Sequence, residues 1–224
     1  MDALFRRRQM MLGSGRPTPI VSDYVQDGLV LHLDAKSPGE TADAWTSLVG
    51  DHVFTNYGAV FNADHVLFDG VDDYLLNTSF TPPTAGSATI EVVYDCDSDV
   101  FGSTQVCLFA GKTGGSLCFY ISGSSNVYWT NGTPAKTILY VQQAKASTSI
   151  SDDRKYENGV AITGASTNYL GGRDSNNYIG KRSSGNPYKG KIYAIRIYNR
   201  KLTEAEVMQN LAADNLRYQL GLTL

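Results

Sequence analysis

No apolar run in this 224-residue chain approaches the roughly 20 residues that cross a bilayer, which excludes insertion by a membrane-spanning helix. Charge of one sign is also missing. The formal net charge is -3 and the pI about 5.6, so no global field draws the chain to nucleic acid or to an anionic membrane. Cysteine is limited to Cys96, Cys107 and Cys118, an odd count that does not close a disulfide set. All three lie in strand-like segments and are expected to act as small apolar residues, a usage that favours synthesis in a reducing interior. His32, His52 and His65 lack metal-binding spacing, and no Ser/His/Asp or Cys/His set can be argued from their order. A secretory signal needs an apolar stretch of about 7–15 residues after its positive charges. Here Arg6, Arg7 and Arg8 are followed only by Gln9, Met10, Met11 and Leu12 before Gly13, so the expectation is cytoplasmic synthesis without an export signal.

What is present speaks for strands and turns. Pro is found 7 times, Gly 22 times and Tyr 14 times. A chain of this size buries roughly 70% of its unfolded surface, enough for one large domain without staples. Residues 1–23 read as an arm or linker broken by Gly13, Gly15, Pro17 and Pro19, and residues 24–224 as the domain. Gly28-Leu-Val-Leu-His-Leu-Asp34 puts Leu29, Leu31 and Leu33 on one face and His32 and Asp34 on the other, the pattern of a half-buried strand. His65 to Leu76 reads as two strands around Asp69-Gly70. Thr89 to Cys96 turns Ile90, Val92 and Tyr94 inward, and Ser116 to Ile121 does the same with Leu117 and Phe119. Further strands are expected at Val127–Trp129, Lys136–Gln143, Asn177–Gly180 and Gly190–Tyr198. Asn158-Gly159 marks a two-residue hairpin, because both central residues of a type I′ turn need positive φ. About ten short strands with turn residues between them predict an all-β sandwich or barrel. One helix stands out. Thr203-Glu-Ala-Glu206 matches a capping box, Leu202 and Val207 a hydrophobic staple, and Val207 with Leu211 an apolar edge, predicting a helix over about 204–213.

Three segments together carry a resemblance. Tyr188-Lys-Gly-Lys-Ile-Tyr-Ala-Ile-Arg-Ile-Tyr-Asn-Arg-Lys-Leu-Thr-Glu-Ala-Glu-Val207 resembles the closing strand and helix of concanavalin-like, laminin-G-like and pentraxin-like jelly rolls. Phe68-Asp-Gly-Val-Asp-Asp-Tyr74 is similar to their early hairpin, and Asn176-Asn-Tyr-Ile-Gly180 to the strand before the closing one. The resemblance covers roughly residues 27–212. It implies a two-sheet antiparallel jelly-roll sandwich with a short C-terminal helix, a concave face and ligand loops along one edge. Members act mostly as lectins, carbohydrate-binding modules or adhesion domains, and many decorate bacterial surfaces and phage virions.

The fold the resemblance implies also hosts glycosidases. A retaining one needs two carboxyl groups about 5 Å apart, carried in such enzymes on one strand as Glu-x-Asp-x-Glu or Glu-x-Asp-x-x-Glu. No such motif occurs: Glu91 is followed by Val93 at i+2, and Glu204 and Glu206 belong to the helix cap. Asp95, Asp97 and Asp99 alternate. An EF-hand loop starting at Asp95 would need Gly at position 100 and Glu at 106, where Val100 and Val106 stand. The three acids read either as a solvated strand end or as part of a Ca2+-binding rim of the kind the resemblance implies. Asp72 and Asp73 read as turn chemistry or as ligands for Ca2+ or a sugar hydroxyl. Tyr120, Tyr128 and Trp129 flank the 122–126 turn and, with Gln142 and Gln143, read as a sugar-stacking platform or as ordinary packing, since one of Tyr128 and Trp129 must point inward. Arg173, Lys181, Arg182, Lys189 and Lys191 make a basic stretch, either a solvated rim or a contact for an acidic partner. The arm reads as a flexible tail or as a docking segment, with Arg6, Arg7, Arg8, Met10 and Met11 seating on another protein.

The expectation is therefore a non-catalytic carbohydrate-binding or adhesion module that meets a glycan or surface receptor. It would belong to a virion or extracellular assembly, with the arm as contact to other assembly proteins, and with no nucleic-acid partner. The alternatives are a purely structural virion or surface-assembly protein and a glycoside hydrolase of the same fold, the latter disfavoured by the missing acids.

Overall fold

The computed structural model describes residues 23–39, 42–83, 88–97, 106–111, 118–122, 126–129, 146–151, 154–157, 160–162, 176–182, 185 and 187–222. Period-2 alternation builds the chain into strands β1 (Leu29–Asp34), β2 (Ala44–Thr46), β3 (Val53–Tyr57), β4 (Val60–Phe61), β5 (Val66–Asp69), β6 (Tyr74–Asn77), β7 (Thr89–Cys96), β8 (Val106–Ala110), β9 (Cys118–Ser122), β10 (Asn126–Trp129), β11 (Ala146–Ser151), β12 (Arg154–Glu157), β13 (Val160–Ile162), β14 (Asn177–Ile179) and β15 (Lys189–Tyr198), followed by helix α1 (Glu204–Tyr218). The strands form two antiparallel sheets. The first runs β13-β12-β11-β7-β15-β5-β4, with β1 also paired to β15; the second runs β10-β9-β8-β14-β6-β3-β2. This is the expected all-β sandwich. Glu157 pairs with Val160, so Asn158-Gly159 is the two-residue connection between β12 and β13. The strand expected at Lys136–Gln143 lies outside the described residues. No helix among the described residues is long and apolar enough to cross a membrane.

The core is one cluster fed by both sheets. Leu31, Leu33, Ile90, Val92, Tyr94, Ile192, Ile195 and Ile197 meet Trp45, Phe54, Leu75, Phe109 and Ile179. Full burial of each such side chain contributes about 1.5–3 kcal/mol. Cys107 carries a buried thiol beside Ala110, away from that cluster.

The first sheet departs from expectation on its outer side. His32 and Asp34 are 1% and 2% exposed, so β1 is buried on both faces. The reason is α1, which lies over the sheet and runs to Tyr218 instead of stopping near 213. Its capping box forms as expected, and Leu202 and Val207 pack in one cluster. Asn210, Asp214 and Arg217, which break the apolar pattern in sequence, are buried. They meet a polar row across three central strands, in which His32 faces Arg196 and Arg196 faces Glu91. Arg196 donates from Nε to Glu91 at 2.7 Å and from both terminal nitrogens to the Asp214 carboxylate, one of these bonds at 2.9 Å. Asn210 donates to the same Glu91 oxygen at 2.9 Å, and the Tyr24 hydroxyl donates to Asp214 at 3.0 Å. Arg217 pairs with Asp34 at 2.6 Å, and the Tyr218 hydroxyl donates to the same carboxylate at 2.7 Å. Burial opposes the Arg196 charge, but Asp214 and Glu91 outweigh it and hold the guanidinium above its ordinary value.

Removing one member of such a network leaves buried charge without a partner. Arg196→Leu is expected to cost about 3–5 kcal/mol in urea unfolding, and adding Glu91→Gln and Asp214→Asn to recover much of it; a single variant as stable as wild type would contradict the network. His32 gives a separate signature. Both its ring nitrogens lack a hydrogen-bond partner, and burial, then Arg196 and Arg217, push it down to about 2. A base depressed from its ordinary 6.5 contributes its full stability above that pH and loses it as pH falls toward 2. Between pH 6 and 4, His32→Leu should make the loss of stability shallower by about 1.4 kcal/mol per pH unit; parallel profiles for the two proteins would refute it.

Candidate functional site

α1 covers the outer side of the first sheet at β1, β7 and β15, whereas the second sheet has exposed outward residues on β3. Strands β3, β6 and β14 are neighbours there, held in register by two buried asparagines that face each other. Asn77 donates to the Val53 carbonyl at 2.7 Å and Asn177 to that of Phe80 at 2.7 Å. Alternation turns Phe54, Leu75 and Ile179 into the core. It turns Tyr57, Tyr74 and Tyr178 outward. Tyr57 and Tyr74 are direct cross-strand partners, and their rings stack at 4.5 Å with 4° between planes. Tyr178 is inclined to Tyr74 by 53° at 6.0 Å. The Lys181 ammonium lies 3.2 Å from the centre of the Tyr74 ring, on the side away from Tyr57. Burial lowers the Lys181 pKa against the pull of Asp72, and burial, then Tyr57 and Tyr178, raises that of Tyr74. Tyr57 remains 44% exposed, with Val53 on the same strand at 46%. The arrangement offers one open aromatic surface, phenol hydroxyls and a cation beside it.

The turn joining β5 to β6 closes one end of this face. Asp73 is 7% exposed; it accepts the Asp69 amide at 2.9 Å, while Asp69 accepts the Val71 amide at 2.7 Å. This is the turn chemistry expected for Asp73. Repulsion from Asp69 and Asp72 adds to burial in raising the Asp73 pKa, although the Asp69 amide lowers it. The turn fits because Gly58, at φ +97°, leaves room: a Cβ there would lie 2.2 Å from an Asp73 carboxylate oxygen.

Carboxylate oxygens of Asp69, Asp72 and Asp73 lie within 4.8 Å of one another. They are the hard donors Ca2+ takes, but Ca2+ wants 6–8 oxygens, and two of these three carboxylates already accept amide hydrogens. At the expected rim, Asp95 faces Lys191 at 3.2 Å and Asp97 faces Lys189 at 3.5 Å, while Asp99 lies outside the described residues. Two lysines of the basic stretch are thus paired with acids, and Lys181 is seated on tyrosine. Arg173 lies outside the described residues.

Of the expected platform, the register places Tyr128 opposite Tyr120, and Tyr120 opposite Cys107. Trp129 is opposite Phe119, and Phe119 opposite the core residue Phe109. Tyr120 and Tyr128 therefore share one row and Trp129 occupies the other. Gln142 lies outside the described residues, as do Arg6, Arg7, Arg8, Met10 and Met11. Tyr57, Tyr74 and Tyr178 do not stand out in the sequence as a site. The signal for them is that each takes an outward position in an alternating strand; what the sequence withholds is that the three strands are neighbours.

Solved structures share this architecture. A Trypanosoma rangeli sialidase in complex with sialic acid matches 90% of this chain and 34% of its own, at 18% identity and a TM-score of 0.61. A second Trypanosoma rangeli sialidase structure matches 94% and 37%, at 16% identity and a TM-score of 0.60. A mutant HCR/D chain matches 85% and 53%, at 10% identity and a TM-score of 0.65. The chain has a β-sandwich jelly-roll fold. No known protein family and no curated protein matches the sequence. The jelly roll spans about a third of the sialidase chains and about half of the HCR/D chain. At these identities the likeness speaks for the fold alone.

The tight seat of Asp73 predicts that Gly58→Ala lowers the unfolding free energy by about 1–3 kcal/mol. Gly185 also has positive φ, but a methyl group there would meet nothing within 4 Å, so Gly185→Ala isolates backbone strain from collision. Equal losses for the two variants in thermal unfolding would show that Asp73 is not pinned by Gly58.

Proposed function

We propose that this protein is a non-catalytic binding module of the concanavalin-like and laminin-G-like kind that holds a glycan of a surface receptor on the outer face of its second sheet. The observation that carries this reading is the stacked Tyr57–Tyr74 pair, which keeps Tyr57 upright and 44% exposed beside Tyr178 and the polar Asp69–Asp73 turn. Sugars present C–H faces to aromatic rings and hydroxyls to carboxylates and phenols, and a site of this kind combines both.

Two buried acids support the non-catalytic part. Glu91 and Asp214 are 1% and 0% exposed at the contact between the first sheet and α1, each bonded to Arg196, where no polysaccharide reaches them. The arm with Arg6–Arg8, Met10 and Met11 is read as the contact that displays the module on a larger assembly such as a phage particle.

A glycan array probed with the whole chain, with and without Ca2+, should give hits that fall at least about tenfold on Tyr57→Ala, the loss expected for one stacking anchor of about 1.4 kcal/mol. The variant's melting temperature should stay near that of wild type, since Tyr57 is an edge position of an exposed row. An array empty in both conditions would sink the proposal, as would hits indifferent to Tyr57.

A further inference from the structure

The notch between Tyr74 and Tyr178 already holds a cation. The Lys181 ammonium lies 3.2 Å from the centre of the Tyr74 ring and 5.8 Å from that of Tyr178, where two inclined ring faces converge. Ring faces carry the negative side of the aromatic quadrupole and attract ammonium groups. Tyr57 stacks behind Tyr74 and fixes the wall. Among the described residues Lys181 makes no ion pair and no hydrogen bond; the rings hold it. In the adjoining turn the oxygens of Asp69, Asp72 and Asp73 gather within 4.8 Å, and Asp72 attracts Lys181. Lys189 also passes this turn, its stem against Gly70 and its ammonium paired with Asp97, so the carboxylates here still outnumber the ammonium groups, which favours a second cation over an anion. Lys181 itself is a flexible four-carbon stem, half-buried, and its strongly hydrated head is a poorer guest for aromatic walls than an alkylated ammonium.

We propose that the Tyr74–Tyr178 notch beside Asp72 is a binding site for an alkylammonium group carried by a ligand, and that Lys181 occupies it as a tethered competitor. The site shares Tyr74 with the glycan face but does not depend on that reading. A tethered group competes at an effective concentration near the millimolar range, so the native chain binds a free ammonium weakly and removal of the tether unmasks the site.

The test is titration of the whole chain with tetramethylammonium and with choline, followed by NMR of the tyrosine rings. Lys181→Ala should bind both at least about tenfold more tightly than wild type. Adding Tyr74→Leu, or Tyr178→Leu where the first does not fold, should abolish the gain. 3,3-Dimethyl-1-butanol, which is choline with carbon in place of the charged nitrogen, should not bind. Equal affinity of wild type and Lys181→Ala would overturn the proposal, as would binding that survives loss of the rings or that the neutral probe reproduces. An empty glycan array leaves these outcomes untouched, and a failed titration leaves the glycan reading standing.

Discussion

A guanidinium sealed at the centre of a sheet has to be neutralised on the spot. Arg196 is 1% exposed in the longest strand, and its partners come from two directions: Glu91 from the neighbouring strand and Asp214 from the helix. Without Asp214 the charge would lie against Glu91 alone under open water, and without Arg196 the helix would bring a bare carboxylate onto a buried surface. The pairing is therefore what seats α1. The apolar contacts of Val207 and Leu202 supply adhesion at the start of the helix, while the polar network sets its register further along. Buried pairs of this kind add little net stability relative to apolar residues of the same shape, but breaking one side is expensive.

That constraint decides which outer face of the sandwich the helix covers. A two-sheet sandwich has two outer faces. The helix closes one of them over the row His32, Arg196 and Glu91, and the proposed recognition surface lies on the other. There the outward residues include tyrosines on three adjacent strands, with a lysine and an acidic turn at their end. Gly58 permits that end to be so close-set, because any side chain would displace the Asp73 carboxylate. Stacked phenol rings give a stiff surface with little rotamer freedom to lose, which suits the binding of shallow, weakly apolar ligands.

Much of the fold was legible in the order of residues. Alternation marked β1, β5, β6, β7 and β15, and the Asn158-Gly159 pair marked the β12–β13 hairpin. The capping box fixed the start of α1 to the residue. The end of the helix was not legible. Asn210, Asp214 and Arg217 interrupt the apolar edge of Val207 and Leu211, yet they are the residues that bind the sheet. For the same reason His32 and Asp34 read as solvent-facing. The site shows the same divide. Tyr120 and Tyr128 could be paired from one turn between consecutive strands, whereas Tyr57, Tyr74 and Tyr178 are brought together from distant segments.

By itself the sequence determined which side chains lie on which side of each strand, where turns fall and where the helix begins, because these depend on neighbours within a few residues. Which strands became neighbours, which outer face the helix covered and which tyrosines formed one surface were decided only by the tertiary structure. Those outcomes depend on pairing across about a hundred residues, as between Glu91 and Arg196, or Asn77 and Asn177, and no local pattern encodes a partner that far away.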